Sequence, residues 1–469
     1  MRKFPCFSKS CTSPLRGEGD HPPLRRMVVG ALLTLPLALS GCLSTPYATP
    51  DVPTPATFAH AGTATTDAPT PSAWWQAFGD DRLNALVERA IAGNNDLAAA
   101  AIRVQQARDQ AGLTRLDQFP TVSGGVNAAS GSGSQTYRAS LSVSYEVDLW
   151  GRLANASKAA NWEAQATEQD RQAAQLALAG TVCQLYWDIG YTHQQITTGQ
   201  ASLAYAQKIL DLVNIQHQAG AVSGLEVAEA QQSVNSQTSG LASLQQQLVE
   251  DRSALGVILG GIPMTEDEEP QTLPANPLPD VRAGVPAELL GRRPDLQAAE
   301  LRLRESLANV DETRADIYPA LSLTASGGGA SDELGSVLSN ATGSVGAALT
   351  LPFLDFPRKN LAIKVSKDQY QANVLSFKTT LLQAMADTDN ALSNRTQLAA
   401  QGAALADTLE NARKVEALNA IQYRAGAIPL RTWLDAQESL RQTQLGVDNN
   451  RLQQLLNQST LYQALGGGI

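Results

Sequence analysis

The sequence predicts a membrane α+β fold made of one unit used twice, each unit a helix, a β-hairpin, a very long helix and a shorter helix. Three observations predict it. The first is duplication: Asp96-Leu97 returns as Asp295-Leu296, Arg103 as Arg302 and Phe119-Pro120 as Tyr318-Pro319, all at an interval of 199 residues. Ala219-Gly220-Ala221 and Ala230-Gln231 return as Ala425-Gly426-Ala427 and Ala436-Gln437 at an interval of 206. A period near two hundred is too long for a solenoid repeat and suits two structural halves of one object. The second is strict alternation over 137–149, where Tyr137, Ala139, Leu141, Val143, Tyr145, Val147 and Leu149 interleave with Arg138, Ser140, Ser142, Ser144, Glu146 and Asp148. Such a period of two marks a strand with one apolar and one polar face. The third is that 152–217 and 358–424 contain no proline at all, so each is read as a helix of about 100 Å at about 1.5 Å per residue.

In chain order, residues 1–41 read as a targeting segment. Arg25-Arg26 precede an apolar run too short to cross a bilayer, which ends in Leu39-Ser40-Gly41-Cys42. This resembles a bacterial lipobox, which implies cleavage before Cys42 and a covalent lipid on that residue. Leu43 in the next position, where an Asp would favour the inner membrane, is compatible with outer-membrane sorting. Residues 42–72, rich in Pro, Thr and Ala, are expected to be a tether without a core of its own. Order should begin at Trp74-Trp75 and Phe78, and one helix is expected over 81–117, capped by Asp80 and stopped by Phe119-Pro120.

The first repeat thus spans 73–260: that helix, a hairpin over 120–149 turning at Gly131-Ser132-Gly133-Ser134, the long helix 152–217, and a helix over 224–260. An acidic, proline-rich linker over 261–286 reads as a surface connection. The second repeat, 287–465, contains a helix, a hairpin over 318–355, the long helix 358–424 and a helix over 430–464, followed by a glycine tail at 466–469 that reads as a frayed end. Gly220 and Gly426 stand where a left-handed residue ends each long helix. Gly327-Gly328-Gly329 reads as an extracellular loop, since it lacks the Lys-Ser/Thr of a phosphate loop.

Composition agrees with packed rods more than with thick cores: 43% of residues are hydrophobic but only 5% aromatic, and the net charge of −10 offers nucleic acid no basic patch. Strands of this length match the wall of an outer-membrane barrel, with the aromatics Phe119, Trp150, Tyr318 and Phe356 at one end as an interfacial belt. Four strands cannot close a barrel, and an open edge in hydrocarbon leaves backbone groups unsatisfied, so other copies must complete it. Two copies give eight strands and three give twelve.

The order of elements, with Trp75, Phe78, Asp80, Leu83 and Asn95-Asp96-Leu97 at the entry, Arg293-Pro294-Asp295, Tyr318-Pro319, Tyr423-Arg424-Ala425-Gly426 and Leu434-Asp435-Ala436-Gln437, resembles the outer-membrane factors of TolC and OprM type, in particular the NodT-like lipoprotein branch. The resemblance implies a homotrimer in which four strands per protomer complete a shared twelve-stranded barrel continuous with a periplasmic α-helical barrel. It also implies a passive exit duct in the outer membrane, serving an inner-membrane RND-type pump through a periplasmic adaptor, and exporting drugs or other small molecules. In such ducts the helical turns at the periplasmic end close like an iris; here those turns are Gly220 and Gly426. Asp435 matches the acid of the family's gate motif, Glu229 and Glu226 occupy comparable places in the first half, and Tyr423 and Arg424 are placed to tie the tips together. Charged rings of this kind set ion selectivity.

No nucleophile and base arrangement, ATPase motif or metal-ligand spacing emerges, so the chain is not read as an enzyme and no cofactor beyond the Cys42 lipid is expected; His193 and His217 read as surface or packing residues. The alternatives are the outer-membrane component of type I protein secretion and a periplasmic coiled-coil adaptor lipoprotein.

Overall fold

The computed structural model describes residues 44–60, 73–131, 134–281, 286–339 and 341–467. The signal segment, Cys42, Leu43 and residues 61–72 of the expected tether lie outside the described residues. The helices are α1 (Asp81–Gly93), α2 (Asn95–Leu116), α3 (Arg152–Gln218), α4 (Gly224–Ile258), α5 (Pro294–Ala315), α6 (Phe356–Arg424) and α7 (Leu430–Ala464). Four strands, β1 (Thr121–Gly131), β2 (Ser134–Val147), β3 (Ala320–Ser331) and β4 (Thr342–Thr350), form one antiparallel sheet in the order β1-β2-β3-β4. None of the described helices is long and apolar enough to cross a membrane.

The two long helices, of 67 and 69 residues, carry the molecule. α4 folds back along α3 and α7 along α6, giving two helical hairpins; α2 and α5 flank α3 toward the sheet, and α5 also packs on α6. Midway, Trp74, Trp75 and Phe78 enter a core with Tyr186, Trp187 and Tyr462. The Trp74 and Tyr462 rings stack at 5.3 Å, so the start of the first repeat is held by the last helix of the second.

Several expectations are corrected by long-range contacts. The single helix over 81–117 is two helices: Asn94 ends α1 by donating its backbone N–H to the Ala90 carbonyl, and its side chain caps α2 by accepting from the Leu97 amide at 3.0 Å. Residues 44–60 are no free tether. The Thr45 amide and hydroxyl donate to Asp311 at 2.6 and 2.7 Å, the Arg304 guanidinium lies 4.7 Å from the Tyr47 ring centre, and Phe58 is buried beside Leu296, Phe377 and Leu381. The linker is not confined to the surface either. Glu269 is only 2% exposed and receives Arg252 at 2.6 and 2.7 Å and His193 at 2.7 Å, closing α3, α4 and the linker around one carboxylate.

The described start of the glycine tail is likewise packed: Gly466 and Gly467 are buried with φ of 90° and 62°, and a Cβ on Gly466 would collide with the Arg292 carbonyl oxygen, while 468–469 lie outside the described residues. Gly327 to Gly329 belong to β3 rather than to a loop, opposite Leu141, Ser140 and Ala139. A Cβ on Gly328 would stand 2.5 Å from the Ala139 carbonyl oxygen, so the glycine permits that close strand pairing. Leu351 and Phe353, read as strand, lie beyond β4, the latter in a single tight turn over Pro352–Asp355 that leads into α6.

Along α3, burial and the neighbouring Asp251 carboxylate raise the Asp188 carboxyl to about 6. Its folded value lies above the unfolded one, so this group favours the fold fully below about pH 4 and that contribution is lost as pH rises through 6. Asp188→Asn is therefore expected to melt higher than the parent near pH 7.5 and alike near pH 4; a lower melting temperature near pH 7.5 would contradict this.

Candidate functional site

Two places carry the chemistry of a duct, the sheet and the far end of the helical hairpins. In the sheet, register sorts the faces. Val122 stands opposite Val143, Tyr145 opposite Leu323 and Leu321 opposite Leu349, so one face is apolar across all four strands. The other is lined by hydroxyls: Ser123, Ser142, Ser326 and Ser344 form one row, with Ser123 and Ser142 hydroxyls 2.7 Å apart and those of Ser326 and Ser344 2.8 Å apart. Val126, Leu141, Val345 and Leu349 are exposed on the apolar face, which in water would be costly and against lipid is favourable. At the sheet's foot Trp150 stacks on Tyr318 at 4.8 Å and donates its indole N–H to the Pro319 carbonyl, while Phe119 and Phe356 stay exposed, so the four expected belt aromatics share one end. Beneath them Arg152 makes a bidentate pair with Glu146 at 2.8 and 2.9 Å.

At the opposite end each long helix stops in the same way. Gly220 at φ 73° and Gly426 at φ 68° donate to the carbonyls three residues back, and Ala221 and Ala427 to those five back, which satisfies the last helical carbonyls. The sequence-predicted residues gather here in part. Tyr423, buried one turn before Gly426, donates its hydroxyl toward Gln216 of α3 at 2.8 Å and Glu226 of α4 at 3.3 Å, so it joins the second hairpin to the first. Burial and the Glu226 carboxylate push that hydroxyl up to about 12, which keeps it a donor. Arg424 lies 5.9 Å from the Trp433 ring centre and has no carboxylate partner in the protomer among the described residues. Asp435 is exposed and pairs with Arg431 one turn earlier at 3.1 Å, and Glu229 is partly exposed on α4.

What sequence reasoning missed is the centre of this cluster. Trp433 is 1% exposed among Ile209, Val213, Ala230, Ala420 and Leu430, with Tyr423 at 5.3 Å and Tyr205 at 6.1 Å between ring centres. Its indole N–H and the Tyr205 hydroxyl both donate to Glu416 Oε1, at 3.0 and 2.9 Å. The available signal was that Trp433 is the only tryptophan after Trp187 in a chain poor in aromatics. The tip is thus an aromatic knot in which two helical hairpins are held by two shared carboxylates, and anything that reorients one hairpin must break it.

A lone four-stranded membrane wall on paired helical rods, tied at the far tip, defines an outer-membrane duct component. The sequence model of the outer membrane efflux protein family matches residues 86–261 and 285–467, and the chain belongs to that family. It is 32% identical to the pyoverdine export outer membrane protein OpmQ of Pseudomonas putida, over 93% of this chain and 97% of that protein. It is 30% identical to the cation efflux system protein CusC of Escherichia coli, over 92% and 97% of the two chains. Among solved structures it is similar to the outer-membrane channel OprN, with a TM-score of 0.81 and 26% identity over 91% of this chain and 99% of that one. The open state of the MtrE outer membrane channel of Neisseria gonorrhoeae gives a TM-score of 0.79 and 27% identity over 91% and 98%. The protein is an outer-membrane efflux channel component, and its helical hairpins belong to the periplasmic side.

Proposed function

We propose that this chain is the passive exit duct of a tripartite pump for small molecules, a homotrimer of twelve strands that receives its cargo from an RND-type inner-membrane pump through a periplasmic adaptor. The observation that carries the reading is the sheet: four strands, apolar on one face and lined with serine on the other, with both edges unpaired among the described residues. An unpaired edge in lipid costs several kcal/mol per backbone group, and small barrels of about eight strands fill their own interiors, so a passage requires further copies. A lipid on Cys42 fits the fixed start of the described chain. Thr45, within about 10 Å of chain reach from residue 42, is clamped by Asp311 and Arg314 near the sheet-facing end of α5.

Closure at the tip follows from the same residues. Tyr423 and Glu226 lock neighbouring hairpins, and copies of Asp435, Glu229 and Arg424 brought around one axis would set the field at the constriction. Asp435 pairs with Arg431 on its own helix, so its removal leaves that guanidinium without its partner. Asp435→Ala is expected to raise leak conductance in planar bilayers and antibiotic entry in cells. Unchanged leak removes Asp435 from the gate, and protein that trimerises yet never conducts, in parent or variant, counts against the duct.

A further inference from the structure

The membrane wall carries almost no charge. Among the described strand residues only Arg138 and Glu146 are charged residues, both on β2 and both on the face lined by hydroxyls. Glu146 stands at the foot of the sheet, where the bidentate Arg152 contact balances it. Arg138 is eight residues away, about 26 Å along the strand toward the turn between β1 and β2, and is exposed with no carboxylate partner among the described residues. The helices leave the sheet at its foot, toward the periplasm, so the turn end is the outer mouth.

Register fixes what surrounds this guanidinium. Asn127 of β1 and Ala330 of β3 stand directly opposite it, and the next positions inward on the same face are Gly125, Ser140 and Gly328, then Ser123, Ser142 and Ser326. An open recess of about 950 Å³ lies over this stretch, lined by Arg138, Asn127, Ser140, Ser326 and Ser344 and by no acid. Asp332 and Glu333 follow β3 at the rim; Asp332 accepts from the Ser331 hydroxyl at 3.3 Å, and neither makes an ion pair with Arg138. A cation that nothing balances, facing water beside a wall of low dielectric, sets a positive potential over the recess.

We propose that Arg138 makes the outer mouth of the duct a selective exit for anions: small molecules bearing carboxylate or phosphate groups are drawn through the last stretch of the wall, and cations are held back. A guanidinium offers paired N–H donors that match two oxygens of either group, and the Asn127 amide and Ser140 hydroxyl add donors beside it. A homotrimer sets three such guanidiniums around one axis, and charged rings select by sign. This inference rests on the reading that the hydroxyl-lined face is the lumen, and adds the charge class of the cargo.

The test reads the local potential in intact cells through a cysteine placed beside the guanidinium. Ala330→Cys puts a thiol directly across from Arg138, about 4.5 to 5.5 Å away between Cα atoms, and Ser326→Cys puts one four residues, about 13 Å, farther in. Anionic, cationic and neutral methanethiosulfonates are added from outside, which makes the state of the tip immaterial, and each rate is divided by that of a free thiol. The parent chain, with Cys183 buried, gives the background. The Ala330→Cys thiol should react about threefold to tenfold faster with the anionic than with the cationic reagent, and the Ser326→Cys thiol with a weaker preference. Adding Arg138→Gln should abolish the preference, Arg138→Glu should reverse it, and about 1 M salt, with a screening length of about 3 Å, should collapse it. Equal rates at Ala330→Cys would mean that Asp332 and Glu333 cancel the guanidinium, which overturns the proposal. A preference that survives Arg138→Gln or high salt overturns it too, since its origin is then not this charge. Reaction of the neutral reagent shows that each variant is folded with the wall open to water. Native oligomers whose thiols the neutral reagent never reaches would overturn the lumen reading itself.

Discussion

Trp433→Ala is expected to turn a sealed tip into a leaking one. The indole fills the middle of the knot, against Tyr423, Tyr205 and Arg424, and it supplies one of the two hydrogen bonds received by Glu416. Removing a fully buried tryptophan costs about 3–5 kcal/mol, and the loss falls on a local cluster far from the sheet and the Trp74 core. The hairpins should therefore part at the tip while the wall and shaft stay folded. In planar bilayers the variant is expected to show steady conductance where the parent is mostly closed, and cells should become sensitive to large antibiotics. Tyr423→Phe is the graded companion: it keeps the ring and removes only the hydroxyl that reaches Gln216 and Glu226, a loss of about 1–2 kcal/mol and a proportionately smaller leak. A Trp433→Ala protein as tightly closed as the parent would separate the knot from the gate.

The second large effect is expected midway along α3, where Glu269 is buried. Its two oxygens hold Arg252 and His193, and its carbonyl accepts from Arg82 at 3.4 Å, so one linker residue fastens α1, α3 and α4 together. Glu269→Ala leaves the partly exposed Arg252 guanidinium and the largely covered His193 imidazole without their shared acceptor, a loss of about 1–3 kcal/mol. Thermal unfolding in detergent should show a clear drop in melting temperature, with Glu269→Gln between variant and parent because the amide still accepts one bond. Resting conductance should be unaffected, which distinguishes this lesion from that at the tip. An unchanged melting temperature would mean that water replaces the carboxylate at no cost.

The sheet and the rods were legible because their signals are local. Alternation in 137–149 and proline-free runs of more than sixty residues need no partner to be read, and the repeat intervals of 199 and 206 tie the halves together. What escaped depends on residues hundreds of positions apart. Thr45 and Tyr47 sit in a Pro- and Thr-rich stretch that looks like a tether until Asp311 and Arg304 are brought against it. Glu269 stands in an acidic run in which Glu266 and Asp267 face solvent, and nothing local singles it out until Arg252 and His193 converge. The candidate gate was legible as positions and not as bonds. Tyr423 and Glu226 do meet, whereas Asp435 takes Arg431 on its own helix and Arg424 lies against Trp433.

The protomer, with its four strands, is one third of a wall. Native mass measurement of the full chain, extracted gently from outer membranes and then placed in a planar bilayer, tests this most directly. The prediction is a single species of three chains that carries the conductance. A monomer that keeps its four strands in lipid and conducts unaided would contradict it.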